Sequence, residues 1–192
     1  MNDAKFNMYQ PISSFCEKIK SYPIYREIEN KMKEAQEKIG YTFRNIFYLA
    51  FAFCRVKLEI TNASYQNDTL AQIGDSVLDL VIIERGFADG KNKKKIDDNR
   101  QKNAKNTRLK SFLDERALQQ FCYHEKYFYN DAPKNDQVSS GKHDAIVEAI
   151  IGAIYLDGGL EEARSWITKN ILRSKDTFVV PTHVESVVCL GK

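Results

Sequence analysis

The sequence predicts an all-α fold, and three observations support this prediction. Glycine and proline are scarce, with 9 and 4 residues in a chain of 192, which disfavours an all-β fold with many turns. Apolar residues recur at spacings of three and four along most of the chain, as in helices with one buried face. No internal repeat or low-complexity segment interrupts this pattern. We therefore expect one packed helical domain.

The pattern places each element in turn. Pro23 and Gly40 bracket the second predicted helix, and the third is strongly apolar and aromatic, as expected of a buried helix. We predict helices over residues 10–20, 24–38, 43–56, 67–85, 94–106, 107–122, 142–157 and 160–173. Loops are predicted at 57–66 and 129–141, with a break at 86–92. The segment 176–192 is apolar enough to dock on the domain, but its pattern predicts no particular structure.

Composition favours a soluble cytoplasmic protein. No run of 18 apolar residues is present, which argues against a membrane span, and the N-terminus lacks the apolar core of a signal peptide. The four cysteines are far apart and none forms a CxxC pair. This spacing argues against a zinc cluster or a disulfide framework, and it favours free thiols in a reducing compartment.

The helix predicted over 67–85 combines an apolar face with a line of acids. Its buried face would consist of Leu70, Ile73, Val77, Leu78 and Val81. Asp68, Asp75 and Asp79 follow another stripe of the same helix. Because an ionised carboxylate is costly to desolvate without a cation or hydrogen-bond donors, these acids need partners.

The helix predicted over 142–157 supplies a second set of acids. Asp144 and Glu148 lie one turn apart on it, and Asp157-Gly158-Gly159 suits its C-terminus. Two buried helices that each carry carboxylates would suit a hard cation such as Mg²⁺. The alternative is that Asp75 and Glu148 pair with Lys or Arg, or cap nearby backbone.

Positive charge is concentrated in one tract. Residues 91–110 contain nine Lys or Arg and two acids, a net charge of +7, in a chain whose total is only +3. A basic tract on an otherwise acidic protein suggests a phosphate-rich partner. The alternative is a solvated loop and helix face.

Three motifs, in order, resemble the ribonuclease III domain. They are IGYTFRNIFYLAFA (39–52), NDTLAQIGDSVLDLV (67–81) and VEAIIGAIYLDGGLEEA (147–163). The resemblance spans about 39–173, which suggests an N-terminal helical extension at 1–38 and a tail at 174–192. Only 19 residues follow residue 173, so we expect no double-stranded-RNA-binding domain and RNA contact through the helical domain or a partner.

The resemblance implies a helical endonuclease that forms a homodimer and cleaves double-stranded RNA with Mg²⁺ or Mn²⁺. By motif position, Asp75 and Glu148 are the catalytic, metal-binding acids. Such a metal would activate a water and stabilise charge on the phosphate. The basic tract then supplies five candidate RNA contacts, which are Lys93, Lys94, Lys95, Arg100 and Lys102, and Lys142, just before Asp144, is a sixth.

The motifs also depart from the family pattern. Ala71 and Ala145 stand where the family usually has a glutamate and an aspartate, so two of four usual carboxylates are missing. Asp68 and Asp144 are nearby auxiliary acids, and Gln72 replaces an aromatic residue of the usual dimer contact. The short Mini-III branch of the family also has small or uncharged residues at the positions of Ala71 and Ala145. We therefore carry two hypotheses, an active endoribonuclease or a catalytically impaired protein that binds or scaffolds RNA.

Overall fold

A computed structural model describes residues 10–60, 63–103, 106–131 and 144–172 of the chain. Within these ranges, eight α-helices, one two-stranded hairpin and two short 3₁₀ turns are formed, and the all-α prediction is confirmed. The helices are α1 (Gln10–Ile19), α2 (Tyr25–Ile39), α3 (Phe47–Phe53), α4 (Asn67–Ala88), α5 (Lys93–Asn103), α6 (Asn106–Glu115), α7 (Asp144–Gly158) and α8 (Leu160–Asn170). The strands are β1 (Leu58–Ile60) and β2 (Ala63–Tyr65), and the 3₁₀ turns are Leu118–Phe121 and Tyr129–Asp131.

The centre of the fold is the crossing of α4 and α7. Helix α7 is apolar on most sides and is surrounded by α3, α4, α6 and α8, as expected of a helix without a solvent-facing stripe. Its fully buried residues are Val147, Ala149, Ile150, Ile151, Ala153 and Ile154. Helix α4 is buried on one side only, so its other side carries the residues that face solvent.

Helices α1 and α2 contribute to the same apolar core. Phe15 of α1 stacks on Phe51 of α3 with ring centroids 4.9 Å apart, and Met32 of α2 is also buried. Helix α2 ends at Gly40, whose φ of 72° is readily adopted by glycine and whose N–H bonds the carbonyls of the last turn. The predicted division at residue 38 stays a prediction, although the residues on either side of it share one core.

Helix α3 is shorter than the predicted helix over 43–56. Asp157, in the last turn of α7, accepts hydrogen bonds from the backbone N–H groups of Arg44 (2.9 Å) and Asn45 (2.8 Å). It also accepts one from the Tyr41 hydroxyl at 3.0 Å. This carboxylate therefore holds the segment before Phe47 in a non-helical conformation and ties it to the end of α7.

The predictions for two irregular segments are wrong. The loop predicted at 57–66 contains the β1–β2 hairpin, in which Leu58 pairs with Tyr65 and Ile60 with Ala63. The break predicted at 86–92 begins too early, because α4 continues through Gly86 to Ala88. A Cβ at Gly86 would lie 2.7 Å from Ile96 Cγ1, so this glycine allows α5 to approach and does not end the helix.

The helix predicted over 107–122 divides in two. Helix α6 ends at Glu115, and Ala117, with φ of 50°, turns the chain into the first 3₁₀ turn. The larger apolar residues of this segment are buried, including Leu109, Phe112 and Leu118. Most of the predicted loop at 129–141, and the tail from 174, lie outside the described residues. No helix in the described part is both long enough and apolar enough to span a membrane.

Candidate functional site

Two glycines let the backbones of α4 and α7 come into direct contact. A Cβ at Gly74 would overlap the carbonyl oxygen of Glu148 and lie 2.9 Å from the backbone nitrogen of Gly152. A Cβ at Gly152 would overlap the carbonyl oxygen of Leu70 and lie 3.2 Å from the Gly74 nitrogen. Any side chain at either position would push the helices apart. The crossing therefore fixes Asp75, the neighbour of Gly74, beside Glu148.

A cleft of about 490 Å³ opens beside this crossing. It is lined by Asp68, Thr69, Ala71, Gln72, Asp75, Ala145 and Glu148. Asp75 and Glu148, which are 73 positions apart in the sequence, are thus brought to one cleft, as the sequence argument requires. Thr69 is a polar lining residue that the sequence argument did not single out.

The cleft is acidic at its α4 wall. Partial burial and the negative charge of Asp79 raise the pKa of Asp75 above its ordinary value, and Arg100 partly offsets this shift. Asp79 lies one turn beyond Asp75 and forms an ion pair with Arg100 of α5. A cation near Asp75 would favour its ionised form, since opposite charges lower the pKa of a carboxyl.

The positions of the missing carboxylates also lie in this cleft. Ala71 and Ala145 both line it, and Asp68 supplies an acid near its α4 end. Asp144 begins α7, but its side chain lies outside the described set. Among the side chains described, no three or more His, Cys, Asp or Glu are arranged to hold a metal ion.

The oxygen donors in the cleft suit a Mg²⁺ ion that keeps part of its water shell. Mg²⁺ in proteins usually keeps several waters and is bound by one or two carboxylates together with substrate phosphates. Asp75 and Glu148 supply two carboxylates in one cleft. A water occupies about 30 Å³ in the liquid, so a cleft of about 490 Å³ has room for a partly hydrated ion and a phosphate.

The predicted RNA contacts fall into three groups. Lys93, Lys94 and Lys95 form the exposed first turn of α5. Arg100 lies on the same helix, with its side chain 40% exposed and paired with Asp79. The side chain of Lys102 and the whole of Lys142 are outside the described part of the structure.

An exposed apolar stripe on α4 was missed by the sequence argument. Leu80 and Ile83 are each about 40% exposed, and Phe87 is 80% exposed. Their spacing of three and four places them along one side of the helix, next to the side that carries the acids. The same spacing is visible in the sequence, but the sequence analysis gave these three residues no role, and Phe87 lies beyond the helix predicted over 67–85. Gln72, in contrast, is exposed at the cleft.

Comparisons with known proteins agree with this architecture. Residues 58–175 match the model of the Ribonuclease-III-like family. Ribonuclease 3 of Roseburia hominis is 30% identical over 151 residues, covering 67% of this chain and 42% of that protein. Ribonuclease 3 of Bdellovibrio bacteriovorus is 29% identical over 164 residues, covering 78% of this chain and 64% of that protein.

Solved structures give the same result for the fold. The nuclease domain of ribonuclease III from Campylobacter jejuni superposes with a TM-score of 0.57 at 22% identity, covering 74% of this chain and 96% of that one. That work concerns flexibility in a region involved in dimer formation of the Campylobacter domain. A second crystal structure of the same domain covers 77% of this chain and 97% of that one, with a TM-score of 0.57.

The fold is that of a ribonuclease III nuclease domain. The family model matches more than half of the chain, and the chain belongs to the ribonuclease III-like family. The chain spans 42% and 64% of the length of the two curated relatives above. The activity of those whole proteins is therefore carried over to this chain only as a proposal.

Proposed function

We propose that this protein is a Mg²⁺-dependent endoribonuclease that cleaves structured or double-stranded RNA. The observation that supports this proposal best is the shared cleft of Asp75 and Glu148, held together by the glycine crossing of α4 and α7. Family membership gives the reaction class, which is phosphodiester hydrolysis. Mn²⁺ would suit the same oxygen donors.

In this proposal the two acids act as metal ligands. A bound divalent cation would supply a water of lowered pKa and would stabilise charge on the phosphate. The carboxylates of Asp75 and Glu148 hold their positions because the backbones beneath them are in contact. Asp79 is paired with Arg100, whereas Asp75 lines the cleft, where its carboxylate would meet the cation. Asp68 and Asp144 are auxiliary acids that act through water.

RNA would be recognised mainly through its backbone. The deep groove of an RNA duplex is closed to side chains, whereas phosphates and 2′-hydroxyl groups are accessible across the shallow groove. The lysines at the start of α5, Lys93, Lys94 and Lys95, are exposed and belong to a helix that is anchored beside the acidic stripe by Arg100. We assign them, with Arg100, Lys102 and Lys142, to phosphate contacts.

We further propose that the protein forms a homodimer through the apolar stripe of α4. Leu80, Ile83 and Phe87 are exposed along one side of α4, and a row of exposed apolar side chains suits an interface. Gln72 takes the place of the usual aromatic residue, so this stripe would carry more of the contact.

The free thiols of Cys16, Cys54 and Cys122 favour a reducing compartment, and we place the protein in the cytoplasm.

A second candidate function rests on Ala71 and Ala145. Both line the cleft, and each removes a negative charge that would attract a metal ion. If the remaining donors hold Mg²⁺ too weakly, the protein would bind or scaffold RNA without cleaving it.

A cleavage assay separates the two functions. Purified parent protein is incubated with a structured RNA and Mg²⁺ beside Asp75→Asn, Glu148→Gln and the control Glu37→Gln, an exposed acid on α2. The endoribonuclease proposal predicts cleavage by the parent and control only. Cleavage that survives both cleft substitutions would contradict the assigned site. Binding without cleavage by the parent would favour the scaffold.

A further inference from the structure

Helix α5 carries most of the candidate RNA contacts, yet it has no apolar face with which to pack. Its 11 residues include a single apolar one, Ile96. A helix that is polar on nearly all sides cannot be fixed in place by apolar burial alone. Ile96 packs at Gly86 of α4, where an added Cβ would lie 2.7 Å from its Cγ1 atom. The position of the basic residues on α5 therefore depends on what else holds this helix.

An ion pair supplies a second contact between α4 and α5. Arg100 of α5 donates from Nη2 to the carboxylate of Asp79 on α4. Asp79 and Gly86 are seven residues apart and lie on one face of α4. Ile96 and Arg100 are four residues apart and lie on one face of α5. Because the earlier residue of α5 meets the later residue of α4, the two helices run antiparallel, and α5 leads back toward the cleft.

This alignment distributes the positive charge of α5 along α4. Asp79 is about 6 Å along the helix axis from Asp75, and Gly86 is about 16 Å from it. Arg100 therefore lies near the cleft, whereas the three lysines that precede Ile96 lie at the far end of α5. An RNA backbone that leaves the cleft along α5 can meet both groups only while α5 keeps this alignment.

The ion pair fixes Arg100 without enclosing it. The Arg100 side chain is 40% exposed, and that of Asp79 is 25% exposed. A guanidinium group has five N–H donors, so one that is held by a carboxylate keeps other donors for a phosphate. The charge of Arg100 also reaches the cleft, since partial burial and Asp79 raise the pKa of Asp75 and Arg100 opposes them.

We propose that Asp79 is a positioning residue for RNA binding that acts through Arg100. Its carboxylate holds Arg100, and with it the basic residues of α5, in the alignment that meets the RNA backbone. The inference rests on the proposed function and goes beyond it, since it gives an acid a part in binding a polyanion. The acids of the cleft are held by the contact of α4 with α7, so the position of α5 controls RNA affinity and not the chemical step.

An ion pair with no part in RNA binding predicts a change of the opposite sign. Exposed ion pairs contribute little to stability, so Asp79→Asn would fold normally. It would also remove a negative charge that repels RNA, and the variant would bind RNA as tightly as the parent or more tightly. If Asp79 is a positioning residue, the same variant binds more weakly although the protein has become more positive.

The test measures binding of a labelled RNA duplex by fluorescence anisotropy in EDTA, which removes divalent cations, over a series of KCl concentrations. Asp79→Asn is expected to bind up to about fivefold more weakly, the change that loss of an exposed ion pair can produce. The slope of log affinity against log salt becomes shallower, because fewer phosphates are contacted. Asp79→Glu keeps the carboxylate and binds as the parent does. In the RNA cleavage assay with Mg²⁺, Asp79→Asn raises KM and keeps kcat.

Two further variants control for charge. Asp98→Asn makes the same change of charge on α5, but Asp98 is exposed and lies two positions from both Ile96 and Arg100, on the side away from α4. This variant is expected to bind at least as tightly as the parent. The double variant Asp79→Arg with Arg100→Asp restores the ion pair in reverse, and it is expected to recover binding that Arg100→Gln loses. Thermal unfolding shows which variants are folded.

The outcomes separate this inference from the proposed function. If Asp79→Asn is folded and binds as tightly as the parent or more tightly, Asp79 is not a positioning residue and the proposed function stands. If Asp79→Asn is unfolded, the double variant decides, and binding no tighter than that of Arg100→Gln likewise overturns the inference. A parent that binds no RNA at low salt overturns the proposed function, and this inference with it.

Discussion

Replacing Gly74 by alanine tests how strictly the α4–α7 crossing controls the cleft. The added Cβ would lie 2.6 Å from the carbonyl carbon of Glu148 and would overlap its oxygen, and both are backbone atoms that no rotamer change can move. The helices would have to separate by about 1 Å or more. Overpacking of this kind typically costs about 1–3 kcal/mol, and a clash with backbone belongs at the upper end. A misplacement of about 1 Å in a catalytic group can cost about 100-fold in rate.

Differential scanning calorimetry and the RNA cleavage assay measure the two effects. At about 3 °C per kcal/mol for a chain of this size, Gly74→Ala should lower Tm by up to about 10 °C. It should also lower kcat far more than its loss of folded protein explains, because Asp75 and Glu148 no longer share their geometry.

Gly86→Ala is the matched control on the same helix. Its Cβ would lie 2.7 Å from Ile96 Cγ1, a side-chain atom of α5, and alanine gains up to about 1 kcal/mol of helix propensity over glycine. We expect a lower Tm, because α5 must shift, but full cleavage, because the contact of α4 with α7 is unchanged. Equal stability and equal activity in Gly74→Ala and Gly86→Ala would refute the argument that backbone contact positions the two acids.

Three further outcomes are expected. Because partial burial and Asp79 raise the pKa of Asp75, its ionisation opposes folding, so Asp75→Asn should raise Tm at pH 7 and lose this gain below the ordinary pKa of 3.8. A Tm difference between Asp75→Asn and the parent that stays the same from pH 7 to below pH 3.8 would contradict this prediction. Ala71→Glu combined with Ala145→Asp should increase Mg²⁺ affinity, measured by calorimetry, whereas unchanged affinity would mean that the two positions do not face the ion. Phe87→Glu should convert a dimer into a monomer in analytical ultracentrifugation, and a monomeric parent would remove the proposed interface.

Much of the fold follows from residue spacing because one-sided apolar patterns are local. The buried faces of α4, α6 and α8 can be predicted from Leu78, Leu109 and Trp166 without knowing their neighbours. The errors occur where distant contacts decide the local conformation. Residues before Phe47 are non-helical because Asp157, more than a hundred positions away, binds their N–H groups.

The two acids of the candidate site can also be predicted from local patterns, but the helix contact that joins them cannot. Asp75 and Glu148 stand out because acids on apolar helices require an explanation, and the motifs pair them. The glycine contact that joins them is not visible in spacing, since Gly74 and Gly86 are both glycines within one helix. One permits a backbone crossing and the other accommodates an isoleucine, and only the packing distinguishes them.

The hydrogen bonds accepted by the Asp157 carboxylate affect the stability of the whole domain. It links the far end of α7 to the chain that enters α3, while the Trp166 indole donates to the Ile39 carbonyl at 3.0 Å and secures α8 to the end of α2. The helix that carries Glu148 is thus fixed at its middle by α4 and at its end by the amino-terminal third of the molecule. A truncated form that begins after residue 45 would keep every acid of the cleft. It would lose the contacts of Asp157, which are one of the two contacts that fix the position of α7.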